Sequence, residues 1–362
     1  MKCQIKMKVL PLNENPFLYG YTHYTYMQAI LTNPEAEILL EKMGYKNWFY
    51  TNYIQLHCRN LDSQHFDSLP IEFYVGDMLN NKEYIGNPFL DIQWMYKDLI
   101  LSFANITEYL IHMIDKGYYA DLIIDEFYVP NSEKFNRQHF FHQNLLYGYD
   151  LDKEEFKLFG VSSNNNFRAL PISFDLFRKA FKNSYSTNGN FWCRPINFLK
   201  LRLPEKYYEI DLRIMIQFLE DYLYSRNTNR LLGYCFQAKE RIFGLDVYNT
   251  LFYIIKSNIG DLRMLHVLWQ HKKCMTKRIE FLYNKGLLSY NEYIKYQPLA
   301  ELIETTVLVI RNLQIKYTIK NDELLLDKIK KGMFKIKDVE KNLYSELITS
   351  LKQHIGDSYI RF

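Results

Sequence analysis

Between Asn144 and Tyr149 the chain alternates with a period of two, Leu145, Tyr147 and Tyr149 interleaving with Asn144, Leu146 and Gly148. That period predicts a β-strand. The polar Leu151-Asp-Lys-Glu then supplies a turn before a second apolar run ending at Phe159-Gly160, so the segment reads as a β-hairpin with His142 at its start. Upstream, 118–129 reads as a buried strand followed by a turn at Pro130-Asn-Ser, and 48–58 and 70–75, rich in Tyr, Phe and Ile, read as extended. Helical spacing appears at 24–31, after the break at Asn15-Pro16, and at 35–43 through Ile38, Leu39 and Met43. It returns over 97–116, with Leu99, Phe103, Ile106, Leu110 and Met113 on one side, and over 173–182, with Ser173 as cap.

From Pro204 onward the pattern is helical throughout, with segments predicted at 210–225, 244–257, 262–285, 289–316 and 322–354 between Asn-, Gly- or Asp-containing breaks. The fold class expected is α+β, an α+β domain over residues 1–200 followed by a helical domain over 201–362. A length of 362 residues supports two domains. The stretch from Asn190 to Glu205, with Pro195 and Pro204, is the expected hinge.

Hydrophobic residues at 48% and charged residues at 24% give a globular balance that argues against general disorder. Aromatic residues reach 17%, with 31 Tyr and 25 Phe, more than a core requires. Two explanations stand: tyrosines line a groove or interface, or A/T-rich coding favours Tyr, Phe, Asn, Ile and Lys. A net charge of +4 is too small to mark a nucleic-acid binder. Lys328, Lys330, Lys331, Lys335 and Lys337 form a solvated helical face or a dock for an acidic protein. Five cysteines without a CxxC pair fit reduced thiols. The N-terminal Met-Lys-Cys-Gln-Ile-Lys-Met-Lys has no apolar core of signal-peptide length, and no window reaches a membrane span, so a soluble cytoplasmic protein is expected.

His142, on a rigid strand beside a carboxamide and upstream of a carboxylate, has the chemistry of a general base, since the reference imidazole pKa of about 6.5 lies near neutrality. A strand histidine satisfied by packing is the plain alternative. His266, His271 and Cys274 share a predicted helix but lack zinc-site spacing. His57 and Cys58 point to opposite faces of their strand, and Asp125 and Glu126 do likewise, which disfavours a carboxylate pair for glycoside chemistry. There is no phosphate loop, GxSxG elbow or HExxH motif.

The run His142-x-x-Leu-x-Tyr-Gly-Tyr-Asp150 resembles the histidine strand of papain-like cysteine peptidase folds, and is similar in particular to the butirosin-pathway acyltransferase family and related proteins of nonribosomal peptide clusters. The likeness extends to Ile-Ile-Asp125-Glu126-Phe-Tyr-Val-Pro130, to Ile172-Ser-Phe-Asp175-Leu and loosely to Phe243-Gly244-Leu-Asp-Val-Tyr. It implies a papain-like domain followed by a helical one, and acyl or peptidyl transfer from a carrier-protein thioester to a small amine. The acyl group would arrive on the carrier's phosphopantetheine, with no cofactor or metal of the chain's own and no nucleic-acid or membrane partner.

A family nucleophile belongs at the N-terminus of the first long helix, where the helix dipole favours a thiolate. No cysteine lies between Cys3 and Cys58, and the expected place falls within Gly20-Tyr-Thr22-His23-Tyr-Thr25-Tyr. Either the nucleophile is lost and the fold is an inactive binding or scaffold protein, or Thr22 or Cys58 takes the role. Asn164 would orient the imidazole, as asparagine does in such triads, or belongs to a polar Ser-Asn-Asn-Asn turn.

Overall fold

The computed structural model describes residues 5–59, 71–74, 87–186, 193–231, 241–257 and 261–356. In chain order the elements begin with β1 (Met7–Val9), α1 (Thr22–Leu31), α2 (Pro34–Lys42), α3 (Tyr45–Asn52), β2 (Leu56–Arg59) and β3 (Ile71–Phe73). Then come β4 (Leu90–Tyr96), α4 (Lys97–Leu101), α5 (Ile106–Asp115), β5 (Tyr119–Asp125), β6 (Phe141–Asp150), β7 (Glu155–Val161), β8 (Phe167–Ser173), α6 (Phe174–Ser186) and β9 (Pro195–Leu201). The last are α7 (Leu212–Leu223), β10 (Arg241–Phe243), α8 (Val247–Ser257), α9 (Arg263–Asn284), α10 (Tyr290–Lys320) and α11 (Glu323–Ile355). The chain is α+β and forms two compact units, Met1–Met43 with Tyr84–Tyr207 and Gly44–Glu83 with Tyr208–Phe362.

The first unit is built on an antiparallel sheet in the order β4-β9-β5-β6-β7-β8, with β1 added to β6. β6 is long enough to take two partners along one edge: β5 pairs with its first half and β1 with Gly148 to Asp150. Gly148 makes that possible, because a Cβ there would lie 2.8 Å from the Lys8 carbonyl oxygen. The hairpin turn between β6 and β7 is closed by Asp150, whose Oδ1 accepts the Asp152 and Lys153 amides. Helices lie on both faces. Phe156 of β7 meets Phe174 and Phe177 of α6, whereas Phe159, three residues on and so on the opposite face, meets Tyr26 of α1.

Three expectations for this unit change. The single helix expected over 97–116 is two, α4 and α5, because the Asn105 side chain accepts the Thr107 and Glu108 amides and starts a new helix. The stretch expected as a hinge contains β9, an interior strand paired with β4 on one side and β5 on the other; Pro195 sits at its first position, where a missing N–H does least harm. The residues from 187 to 192 lie outside the described ones. Finally, β5 ends at Asp125, and Glu126–Tyr128 form a short 3₁₀ turn rather than more strand.

The second unit holds α3, the small antiparallel sheet β10-β2-β3 and the helices α7 to α11. The segment 48–58, expected as one strand, is the end of α3 followed by β2. Its aromatic residues obey helical spacing: Tyr45, Trp48, Phe49 and Tyr53 are buried, and the rings of Phe49 and Tyr53, four apart, stack at 4.5 Å. The five helices expected after Pro204 are present as α7 to α11, within a few residues of their expected ends.

Lys272 and Glu340 meet at 2.8 Å in the interior of this unit, both side chains 0% exposed. Tyr222 accepts from Lys272 at 2.7 Å and donates to Glu340 at 3.0 Å, and Tyr248 donates to Glu340 at 2.8 Å. His271 donates from Nε2 to the Ile54 carbonyl at 2.8 Å and receives Lys272 at Nδ1, so burial and the adjacent ammonium hold it neutral, its pKa well below the ordinary value. This network joins α7, α8, α9 and α11. Removing one charge strands the other in low dielectric, so Glu340→Gln should lower unfolding free energy by about 3–5 kcal/mol, whereas Lys272→Met with Glu340→Met together should recover most of it. Urea denaturation of the three proteins checks this; equal losses for the single and double variants would refute it.

Candidate functional site

β6 carries the polar residues that the sequence singles out, and the two-residue period of a strand decides what each can reach. Gln143 lies on the α1 face. Its Oε1 accepts from Thr22 Oγ1 at 2.5 Å, its Nε2 donates to Asp121 Oδ2 at 2.8 Å, and its backbone carbonyl accepts from Tyr26. Asn197 of β9 donates to the same Asp121 oxygen at 3.2 Å. Thr22 is thus the first residue of α1, as expected for a nucleophile position, and it abuts the histidine strand. Its neighbour there is a carboxamide, which cannot act as a base.

His142 lies on the opposite face, the one covered by α6. It pairs with Ile124 of β5, and Nδ1 is 2.8 Å from Oε1 of Glu126. A carboxylate only accepts, so Nδ1 carries the proton of that hydrogen bond and Nε2 is the ring nitrogen left for a substrate. Glu126 is buried, while the His142 side chain keeps 29% of its surface. Asn144 donates to the same Glu126 oxygen at 3.4 Å. Gly160 leaves room for that carboxamide: a Cβ there would lie 2.3 Å from Asn144 Oδ1.

A second histidine is held in the same manner. His139 Nδ1 stands 2.6 Å from Oδ2 of Asp125, whose side chain is 0% exposed while that of His139 is 55% exposed. The same oxygen accepts from Asn183 of α6 at 2.5 Å, and Oδ1 accepts the Phe127 and Phe140 amides. The Phe127 ring stacks against the imidazole at 4.4 Å. Asp125 and Glu126 are therefore no carboxylate pair: each orients one histidine, His139 just before β6 and His142 at its start.

The structure corrects the expected site in three respects. Thr22 and His142 are separated by the sheet and cannot form a nucleophile–base pair. Asn164 is exposed in the turn after β7, its backbone amide toward Ser162 Oγ, and the orienting role assigned to it falls to Glu126. Cys58 lies in β2 of the second unit, where burial pushes its thiol up to about 12 despite a hydrogen bond with Thr250, so it is protonated at neutral pH and no nucleophile. Cys193 and Cys274 are buried likewise, and Cys3 and Cys235 lie outside the described residues. The signal for Glu126 was available in the strand pairing, since antiparallel pairing of 118–129 with the histidine strand brings its carboxylate end to the histidines. Among the described residues no group of three or more His, Cys, Asp and Glu side chains is arranged to hold a metal ion, and no helix is long and apolar enough to cross a membrane.

No protein-family model matches the chain, and no curated protein matches it. Geometry and chemistry carry the functional reading.

At the far edge of β5, the fully buried Lys97 donates to the Ile123 carbonyl at 2.5 Å and to Ser184 Oγ at 2.8 Å, with the Phe181 ring 4.7 Å away. Burial lowers its pKa from 10.5 to about 7. The unfolded chain therefore binds more protons than the folded one between about pH 7 and 10.5, and Lys97 contributes stability that rises with pH across that window and is absent below it. The stability difference between the protein and Lys97→Met should shift in favour of the lysine by up to about 1.4 kcal/mol per pH unit above pH 7. Chemical denaturation at several pH values measures it, and a difference independent of pH would contradict the assignment.

Proposed function

We propose that the chain transfers an acyl or peptidyl group from a carrier-protein thioester to a small amine, with His142 as general base and Glu126 as its orienting acid. The observation that carries this reading is the dyad itself: a strand imidazole pinned at Nδ1 by a buried carboxylate, with Nε2 free. A papain-like arrangement of the first unit belongs to the same proposal. It is supported by the helix whose first residue, Thr22, meets the histidine strand one position from His142.

Because no hydroxyl or thiol hydrogen-bonds to His142 among the described residues, the reading is direct aminolysis. His142 Nε2 removes a proton from the amine as its nitrogen bonds to the thioester carbonyl carbon; the C–S bond then breaks and the thiolate leaves on the carrier. The acyl group comes on the carrier's phosphopantetheine, and the chain supplies no cofactor. An acidic carrier would meet the lysines of α11, of which Lys328, Lys330, Lys331 and Lys335 are exposed. A second reading, an inactive binding or scaffold protein of a biosynthetic cluster, is favoured by one observation: the Thr22 hydroxyl is engaged by a carboxamide instead of an imidazole.

Acylated carrier proteins incubated with amines, followed by counting released thiol and by intact-protein mass, separate the two. His142→Ala and Glu126→Gln should each lower thiol release by about 10²–10⁴-fold with the fold retained, whereas Thr22→Val should leave it within a few-fold. An acyl adduct mapped to Thr22 would overturn the direct route. Carrier binding with no thiol release from the unaltered protein would leave the scaffold reading standing.

A further inference from the structure

Asn144 breaks the pattern of its own strand. On the α6 face of β6 it stands between His142 and Leu146, directly opposite Leu122 of β5, and the layer continues through Leu158 of β7 and Leu170 of β8. Leu122, Leu146, Leu158 and Leu170 are at most 1% exposed, and Asn144 is 0% exposed. An apolar side chain is what such a layer calls for. A carboxamide there must find a hydrogen bond for each polar atom or leave one bare, which lowers stability.

Asn144 leaves one bare. Its Nδ2 is committed twice, to the His142 backbone carbonyl at 3.3 Å and to Oε1 of Glu126 at 3.4 Å. Its Oδ1 is buried with no hydrogen-bond partner among the described residues and is turned toward Gly160, where a Cβ would lie 2.3 Å away. Turning the amide over would bring Oδ1 against the Glu126 oxygen and the His142 carbonyl, both of them acceptors. The donors therefore go to the histidine side, and the acceptor is stranded in an apolar layer. Gly160 belongs to the same arrangement, since a side chain there would push the carboxamide out of its place.

We propose that Asn144 is a positioning residue that holds the Glu126 carboxylate against Nδ1 of His142, a role that rests on His142 acting as the base. Oε1 of Glu126 receives the imidazole at 2.8 Å and the Asn144 amide together, so two donors fix one oxygen. With that oxygen fixed, the ring keeps its proton on Nδ1 and its Nε2 toward the substrate. His139 is the comparison within the same molecule: its carboxylate, Asp125, is held by Asn183 and by the Phe127 and Phe140 amides instead.

The deciding variant is Asn144→Val, whose branched side chain suits a buried strand position and removes the stranded oxygen. Nitrogen-15 shifts of the histidine rings, read at about pH 9 where the reference imidazole is neutral, should report the Nδ1–H form of His142 in the unaltered protein and move toward the Nε2–H form in the variant. The His139 shifts should stay as they were. The melting temperature should stay level or rise, because a bare buried acceptor has gone. In thiol release from an acylated carrier, kcat should fall about 10–100-fold with KM little changed. The ring shifts are read without substrate, so they decide the role of Asn144 even where the chain releases no thiol. Unchanged His142 shifts overturn the inference. A variant in which the His139 shifts move equally, or in which the melting temperature falls, overturns it too, because those are the marks of an asparagine that only supports the fold.

Discussion

The carboxylate of Asp125 has no contact with solvent and accepts four hydrogen bonds, from the Phe127 and Phe140 amides, Asn183 and His139. Those donors come from the 3₁₀ turn after β5, from the approach to β6 and from α6, so one buried charge fixes where the strand ends, how the chain re-enters the sheet and where the helix lies. A carboxylate this enclosed is tolerable only because its acceptor capacity is met. The neighbouring Glu126 is placed by the same turn, and so the site depends on Asp125 even where Asp125 does not touch it.

Elsewhere the chain buries charge with a different outcome. The Lys272–Glu340 network of the second unit is closed: every charged atom faces a tyrosine, a histidine or its counter-ion, and each side chain is sealed. The dyads of the first unit are half open. Their carboxylates are buried too, but their partners are imidazoles with a nitrogen left outside. Closed networks lock helices in place; half-open ones hold a titratable group at a surface, which is the arrangement that proton transfer requires.

The hairpin of β6 and β7 was legible because Leu145, Tyr147 and Tyr149 alternate, and α7 to α11 because their apolar spacing is long and uninterrupted. α3 was not, since Tyr, Trp and Phe favour strands in isolation, and only their spacing of three and four gives the helix away. β9 was hidden between Pro195, its first residue, and Pro204 beyond its end. At the site, the histidine strand could be read, but the partners of its residues could not. Whether Thr22 faces His142 or Gln143 turns on one residue of register, and a one-residue slip exchanges the two faces of a strand.

That register bears on the chemistry. With Thr22 on one face and His142 on the other, the two do not form a nucleophile–base pair. Such a site is suited to some leaving groups and not others. A thiol, with a reference pKa of about 8.5, departs as its anion without help, so removing a proton from the attacking amine is sufficient. An amide nitrogen is a far poorer anion and must be protonated as it leaves, by a general acid or after a covalent intermediate has split the step in two. A lone, well-oriented imidazole is thus matched to thioesters and mismatched to peptide bonds.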